Sequence, residues 1–281
     1  MIAASRSQQR FFNAIIVIVL LAGVIIAIAP LMYMISTAFK SNAYVQEYPP
    51  RFIPENPTLE NFVTAFNSRN FARALLNSAG VAVATSLLVT LLASMMAYSF
   101  ARFEFRGKRI IFALLLIMIM IPGVVLLIPQ FILAKTLGLM NSLPGLVLVY
   151  SAGPLAFNTF LLRGFLESLP REIEESAIID GASPFTIFWR VMMPLAAPAI
   201  STVAVFSFLG AWDEYLLALN FLTDETLRTL PIAIANFRGQ HASDWGLVFA
   251  GSLTAVIPTV LLFVIFQRYF IQGITSGGVR G

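Results

Sequence analysis

Six long apolar runs limit what this chain can fold into more than any other feature of its sequence. A helix needs about 20 apolar residues to cross the hydrocarbon core of a bilayer. Backbone polar groups in lipid must be hydrogen-bonded within the segment, so apolar runs of this length form helices there. The sequence therefore predicts an all-α membrane protein with six transmembrane helices, at residues 11–37, 72–100, 110–133, 145–162, 199–222 and 245–266.

The composition supports a membrane protein and excludes several other classes. Of the 281 residues, 58% are hydrophobic and only 11% are charged, whereas a soluble domain carries about 25% charged residues. The absence of cysteine excludes disulfides, thiolate metal sites and cysteine nucleophiles. His241, the single histidine, has no acids at ligand spacing, so we predict no metal site. The net charge of +4 is modest, and the basic residues lie in short clusters beside apolar runs, which argues against a nucleic-acid partner.

The distribution of positive charge predicts the orientation of the chain. With a cytoplasmic N-terminus, eleven of the 18 Lys and Arg residues lie in inner segments and seven in outer ones. Four of the inner charges fall in one short connection, at Arg102, Arg106, Lys108 and Arg109. Because short basic loops carry most of the orienting weight, we predict that both termini are cytoplasmic. The proline-rich stretch 40–69 is then an outer loop, with a short interfacial helix near its end.

The connection between the fourth and fifth predicted spans, residues 163–198, departs from the apolar pattern. Ser168 can cap a helix there, and Gly181 suits the left-handed position that ends one. Ser183 can cap a second short helix, with Pro184 at its first position. The first helix also has acids near its start, where the helix dipole favours them: Glu172, Glu174 and Glu175. We predict a helix, a glycine turn and a helix at the cytoplasmic surface, although an amphipathic helix resting on lipid would explain the same amphipathicity.

The spacing within this connection resembles a known signature. Permeases of ABC importers carry E-A-A, three residues, G, nine residues and I-x-L-P in a cytoplasmic loop. This chain has Glu175-Ser176-Ala177, then Gly181, then Val191-x-Met193-Pro194 at the same spacing. The three departures, Ser for Ala, Val for Ile and Met for Leu, are conservative.

The resemblance extends over nearly the whole chain. The outer proline-rich loop, the Asp180-Gly181-Ala182 turn and the tail from Gln267 to Gly281 are similar to the second permease of maltose-type carbohydrate importers. It implies a type I ABC importer permease in which residues 1–281 form one transmembrane domain, with a cytoplasmic coupling-helix loop at 163–198. The expected ATPase-coupling residues are Glu175, Ser176, Ala177, Asp180, Gly181 and Pro194.

The resemblance also implies partners and a location. It implies a heterodimer with a related permease in the cell membrane of a prokaryote, two cytoplasmic ABC ATPase subunits and an extracytoplasmic sugar-binding protein. The last would contact an outer loop at Asn236, Phe237, Arg238, Gly239 and Gln240. The chain has no G-x-x-x-x-G-K-[ST] phosphate loop. We therefore expect no cofactor and no enzymatic activity in this chain, with ATP and Mg²⁺ bound by the ATPases.

Polar residues within the predicted spans are the candidates for the translocation pathway. Ionisable groups at membrane depth are costly unless they are hydrated or paired. The fifth span holds the main set: Trp212, Asp213, Glu214, Tyr215 and Asn220. These residues either face the pathway or bond another span. For Asn77, Asn158 and Thr159 we predict hydrogen bonds between helices.

Two other classes of function explain the sequence less well than an importer does. A secondary transporter or channel that needs no ATPase would explain six spans and buried carboxylates, but not the helix–glycine–helix unit at the signature spacing. An intramembrane enzyme would require a catalytic motif. The sequence has neither H-E-x-x-H nor G-x-S-x-G, and its histidine lies outside the predicted spans.

Overall fold

The computed structural model describes residues 6–41, 44–45, 47–49, 51–68, 70–239 and 244–277, with the side chains of 6–11 and 268–277 left out. This part of the chain is helical apart from turns and loops. Its helices are α1 (Arg6–Ala38), α2 (Glu60–Asn67), α3 (Phe71–Arg102), α4 (Lys108–Met120), α5 (Leu127–Thr136), α6 (Leu143–Ser168), α7 (Glu172–Ile179), α8 (Pro184–Ile187), α9 (Met193–Leu195), α10 (Ala197–Trp212), α11 (Leu216–Phe221), α12 (Leu230–Ala235) and α13 (Trp245–Gly277). A 3₁₀ turn (Gly123–Leu126) precedes α5, and a π-helical turn (Phe188–Met192) joins α8 to α9.

Four of the described helices are long and apolar enough to cross a membrane, namely α1, α3, α6 and α13. The number rises to six if each of two bent helix pairs forms one span. One pair is α4 with the 3₁₀ turn and α5, which bend by 101°. The other pair runs from Pro184 to Trp212 and bends by 81°. The predicted helical membrane fold is therefore confirmed, while the count of six depends on these bent pairs.

Proline explains the break in the third predicted span. Ile121, which precedes Pro122, has an extended backbone, as expected because proline disfavours helical geometry in the residue before it. Pro129 lies in the first turn of α5, where its missing N–H costs little. The fifth predicted span ends its first helix at Trp212 and resumes at Leu216.

The start of the 163–198 connection differs from the prediction. Helix α6 continues to Ser168, so residues 163–168 belong to that helix rather than to the loop. Ser168 caps nothing downstream, because its hydroxyl donates to the carbonyl of Phe165 at 2.7 Å. Helix α7 begins at Glu172 instead, without a side-chain cap.

The chain divides into two compact units, Met1–Arg69 with Ile234–Val256 and Asn70–Ala233 with Ile257–Gly281. In the first unit, the buried Asn61 amide joins α2 to the end of α1. It donates to the carbonyls of Ala38 and Lys40 at 2.9 and 2.6 Å. The most apolar part of α1 has no buried residue. Its exposed aliphatic side chains therefore suit lipid or another subunit.

The core of the second unit lies where α3, α6 and α10 pack together. Small buried residues such as Ala93 and Ala97 let the helices approach closely. Two hydrogen bonds link α10 to its neighbours. The Asn158 amide donates to the Ser207 hydroxyl at 3.0 Å, and the Ser86 hydroxyl donates to the Ala204 carbonyl at 2.6 Å. The predicted interhelical role of Asn158 is thus confirmed.

Candidate functional site

The glycine turn after α7 has the geometry that the sequence predicts. Gly181 has a φ of +81°, a left-handed conformation that costs glycine little. The Gly181 N–H donates to the Ile178 carbonyl and the Ala182 N–H to the Ala177 carbonyl, both at 2.9 Å. This pair of bonds is a Schellman motif, which satisfies carbonyls that the end of a helix leaves free. The turn therefore fixes the direction in which the chain leaves α7.

The second helical piece also begins as predicted. The Ser183 hydroxyl accepts the Thr186 N–H at 3.2 Å, and Pro184 occupies the first helical position. From there α8, the π-helical turn and α9 lead to α10. The resulting helix–turn–helix segment, residues 169–195, is called the coupling loop below.

The inner side of the coupling loop packs on the ends of the long helices. Ile187, Phe188 and Met192 are buried in a cluster with residues of α3, α6 and α10. Leu169 and Ala177 pack against the same cluster. The loop is thus held by apolar contact on one side.

A polar cluster fixes the first turn of α7 to the end of α3. Glu174 and Arg102 form an ion pair through Oε1 and Nε, and their side chains are only 13% and 7% exposed. The second carboxylate oxygen of Glu174 accepts the Tyr98 hydroxyl at 3.2 Å. The Arg102 guanidinium also donates to the Leu169 carbonyl at 3.1 Å. From the sequence, Arg102 was predicted to orient the chain in the membrane and Glu174 to favour the helix dipole. Their contact could not be predicted, because 71 residues separate them.

The outer side of the coupling loop exposes both charge and apolar surface. Of the predicted coupling residues, Ala177 packs inward, whereas the other five are exposed: Glu175, Ser176, Asp180, Gly181 and Pro194. Large apolar side chains stand beside them, with Ile178 61%, Ile179 85% and Phe185 71% exposed. None of these three was predicted. For Ile178 and Ile179, the signal was available, because they are apolar residues on a helix too short to cross a membrane.

A cleft of about 570 Å³ opens elsewhere in the second unit, between the bent α4–α5 pair, α6, α10 and α11. Its walls are mostly apolar. The polar side chains along it are Gln130, Tyr150, Ser207 and Glu214. Phe157 and Phe206 add aromatic surface that is 45% and 48% exposed.

Glu214 is held in place by three hydrogen bonds at the break between α10 and α11. Its carboxylate accepts the N–H groups of Leu217 and Ala218, at 2.7 and 3.0 Å, and the Tyr150 hydroxyl, at 2.5 Å. Glu214 therefore caps the start of α11 and ties it to α6. This cap could not be predicted, because the sequence does not show the helix break and gives no reason to choose Glu214 over the adjacent Asp213.

The other candidates of the fifth predicted span do not line this cleft. Trp212 is 2% exposed and stacks on Phe208, with ring centroids 5.7 Å apart. Asn220 is exposed and its amide donates to the Leu216 carbonyl of its own helix, at 2.6 Å. Asp213 is exposed and Tyr215 half-buried. Their part in translocation stays a prediction.

The predicted binding-protein loop is described only in part. Asn236, Arg238 and Gly239 are exposed and Phe237 is half-buried. The Arg238 guanidinium lies 5.7 Å from the centre of the Trp245 ring, a cation–π contact. Gln240 lies outside the described residues, as do His241 and the last four residues of the tail.

Residues 89–276 match the model of the binding-protein-dependent transport system inner membrane component. The match covers most of the chain, including the coupling loop and the cleft. The chain belongs to this family. It is therefore a multi-pass permease component of a transport system in the inner membrane.

Curated relatives align with this permease over nearly its full length. It is 33% identical to the "Sulfoquinovosyl glycerol transport system permease protein SmoH" of Agrobacterium fabrum, over 100% of this chain and 99% of the relative. It is 35% identical to the "Diacetylchitobiose uptake system permease protein NgcG" of Streptomyces coelicolor, over 99% and 92%. It is also 35% identical to the "Trehalose transport system permease protein SugB" of Mycobacterium tuberculosis, over 91% and 93%.

Solved structures agree on the fold of this permease. A chain of a bacterial ABC transporter involved in the import of the acidic polysaccharide alginate superposes with a TM-score of 0.82 and 24% identity. The superposition covers 96% of this permease and 100% of that chain. A chain of the MetNI methionine ABC transporter superposes with a TM-score of 0.56 and 16% identity, over 71% and 92%.

Proposed function

We propose that this permease forms half of the translocation pathway of an ATP-driven importer for sugars or glycosides and couples to cytoplasmic ATPases through residues 167–194. The coupling loop carries this proposal. Its inner side is fixed to the membrane helices, while Ile178 and Ile179 present exposed apolar surface beside the charged motif residues. Exposed apolar surface rimmed by polar residues is typical of a protein interface.

The proposed partners follow from the family and from the loop. Two ABC ATPases bind and hydrolyse ATP with Mg²⁺ and receive the exposed side of α7 in a cleft. A second, related permease forms the other half of the pathway. An extracytoplasmic binding protein delivers the substrate to the opposite face, where Asn236–Gln240 would contact it. In this arrangement both termini are cytoplasmic.

The substrate class is proposed from the relatives. Their names specify a sulfoquinovosyl glycerol, diacetylchitobiose and trehalose, which are all glycosides. The cleft supports a substrate of this chemistry, because a sugar ring has hydroxyl groups for polar side chains and C–H faces for aromatic rings. Phe157 and Phe206 would contact the ring faces, and Gln130 and Ser207 would bond hydroxyl groups. Asp213, Glu214, Tyr215 and Asn220 are also proposed to line the pathway, and the buried Trp212 to support its wall.

Two substitutions in the coupling loop test the proposal. Proline cannot adopt the positive φ of Gly181, so Gly181→Pro should misdirect the chain after α7. Glu175→Lys reverses an exposed charge of the motif without disturbing the buried side. Both variants should insert into the membrane at wild-type levels yet lose ATP-dependent uptake of trehalose, diacetylchitobiose or sulfoquinovosyl glycerol in proteoliposomes. Glu104→Gln, which removes an exposed charge outside residues 167–194, serves as the control.

Uptake by the lone chain without ATPases would contradict the proposal and favour a secondary transporter. Wild-type uptake in both loop variants would show that the ATPases dock elsewhere. A thermal-shift screen of the cognate binding protein against the same three glycosides selects the substrate for the assay.

A further inference from the structure

The ion pair Arg102–Glu174 differs in kind from the other ion pairs of the described side chains. Those pairs join residues three or four positions apart, as Arg163 and Glu167 do with Nε and Oε1 2.8 Å apart. Such local pairs join neighbours in the chain and add little to tertiary structure. Arg102 and Glu174 instead connect the last residue of α3 to the first turn of α7.

The surroundings of this pair make it stiff. The two atoms in contact, Arg102 Nε and Glu174 Oε1, are shielded from solvent and form an ion pair without hydrogen-bond geometry. The other carboxylate oxygen of Glu174 accepts the Tyr98 hydroxyl. The guanidinium holds the Leu169 carbonyl at the start of the coupling loop as well. The Tyr98 ring packs on Phe188 of the second helical piece, with centroids 5.3 Å apart. Arg102 and Tyr98 of α3 therefore contact the coupling loop at three points: at its start, in α7 and after the glycine turn.

We propose that the cluster of Arg102, Glu174 and Tyr98 makes the coupling loop and the end of α3 a single rigid body, so that a displacement of α7 moves α3 directly. The inference rests on the proposed function, because the displacement comes from ATPases docked on α7. Without the cluster, α7 is held by apolar contacts, which are non-directional and allow sliding. Glu174 and Arg102 are thus positioning residues that transmit motion and do not touch the substrate.

The absence of cysteine in the chain permits a direct test. Spin labels on Ser99→Cys in α3 and Glu172→Cys in α7 report the distance between the two helices by pulsed electron paramagnetic resonance. The assembled complex, with cysteine-free partner subunits, is measured without nucleotide and with AMP-PNP. We expect a narrow distance distribution that does not change between the two states. A shift of the distance on adding AMP-PNP to the wild-type complex would overturn the proposal.

A second measurement tests whether the ion pair is what keeps the distance between α3 and α7 constant. Glu174→Gln should broaden the distance distribution and lower uptake per ATP hydrolysed about tenfold, a common size for a coupling between sites. The swap Arg102→Glu with Glu174→Arg should recover part of both, because it restores the ion pair but not the hydrogen bond to the Leu169 carbonyl. Glu104→Gln, which removes the charge from the local pair with Lys108, should change neither. An unbroadened distribution in Glu174→Gln would also overturn the proposal.

The two proposals fail in different ways. If ATPases are absent from the purified wild-type complex, the proposed function fails. The distance distributions can then still be measured on the wild-type and Glu174→Gln permeases without ATPases. A narrow wild-type distribution that broadens in Glu174→Gln would show that the cluster is rigid.

Discussion

At the scale of single residues, Glu214 shows how a polar group inside a predicted span can be structural. Its carboxylate has three hydrogen-bond donors around it, two from the backbone of α11 and one from Tyr150. A helix that starts within a membrane needs acceptors for its first N–H groups, because lipid supplies none. Glu214 provides them while facing the cleft. A substrate would therefore meet a carboxylate that already has its partners.

Loss of this cap should destabilise the permease. Glu214→Ala leaves the Leu217 and Ala218 N–H groups and the Tyr150 hydroxyl without their acceptor. We expect the free energy of unfolding to fall by about 2 kcal/mol, since hydrogen bonds to charged groups contribute about 1.5–3 kcal/mol. Thermal unfolding in detergent, followed by tryptophan fluorescence, measures the change. Glu214→Gln should lose less, because its amide oxygen still accepts.

Asp213→Ala is the matched control for this prediction, because it removes the neighbouring, exposed carboxylate. Equal losses of stability in Glu214→Ala and Asp213→Ala would contradict the capping role of Glu214.

At the scale of elements, the loop between α11 and α12 is ordered by side chains from distant segments. The Asn77 amide donates to the carbonyls of Thr226 and Arg228, at 3.0 Å each. The Ser78 hydroxyl accepts the Leu230 N–H at 2.7 Å. Asn77 was predicted to bond another helix, but its partners lie in this loop. The start of α3 is therefore a platform for residues 223–230.

The same loop has an internal turn built on an acid. The Thr226 N–H and hydroxyl both donate to Asp224 Oδ1 at 2.8 Å. The bond from the Thr226 N–H has the largest effect and the bond from its hydroxyl the next largest, and together they lower the pKa of the Asp224 carboxyl below its usual value. The pKa of the Asp224 carboxyl is therefore lower in the folded chain than in the unfolded chain. This turn contributes to folding stability above the unfolded pKa, and that contribution is lost as the pH falls through the folded pKa.

Removal of the Asn77 amide should loosen this loop without unfolding the bundle. In Asn77→Ala, the carbonyls of Thr226 and Arg228 lose their donor. We expect amide hydrogen exchange to become faster in residues 223–230 only, because local openings depend on local contacts. Hydrogen-exchange mass spectrometry of the detergent-solubilised permease measures it. The substitution Asn220→Ala, at an exposed amide that bonds a carbonyl of its own helix, is the control.

Unchanged exchange in Asn77→Ala would show that the loop is ordered without the amide. Faster exchange throughout α3 would show that the variant disturbs the bundle itself.

At the scale of the whole molecule, the proposed orientation places the coupling loop and the 223–230 loop on opposite faces of the membrane. Single cysteines can be introduced into this cysteine-free chain at two exposed positions, Ser176 and Glu225. A membrane-impermeant maleimide should label Ser176→Cys in inside-out vesicles and Glu225→Cys in intact cells or spheroplasts. Lysed membranes, in which both must react, are the control. Labelling of Ser176→Cys from outside would reverse the orientation and exclude ATPase docking at the coupling loop.

The sequence by itself determined the class of fold, the glycine turn of the coupling loop and the start of its second helical piece. Apolar run length decides membrane insertion, and the conformational needs of Gly181, Ser183 and Pro184 act within a few residues. These features depend on neighbours in the chain. For that reason they could be predicted before any tertiary contact was known. The spacing of the signature residues likewise indicated the permease family.

Only the tertiary structure decided which polar groups meet. Nothing in the spacing brings Arg102 to Glu174, Tyr150 to Glu214 or Asn158 to Ser207. The bends of the α4–α5 pair and of the 184–212 pair likewise replaced straight spans, and α6 extended into the predicted loop. The physical reason is that partners for buried polar groups are chosen by how helices pack, and packing depends on contacts between segments far apart in sequence.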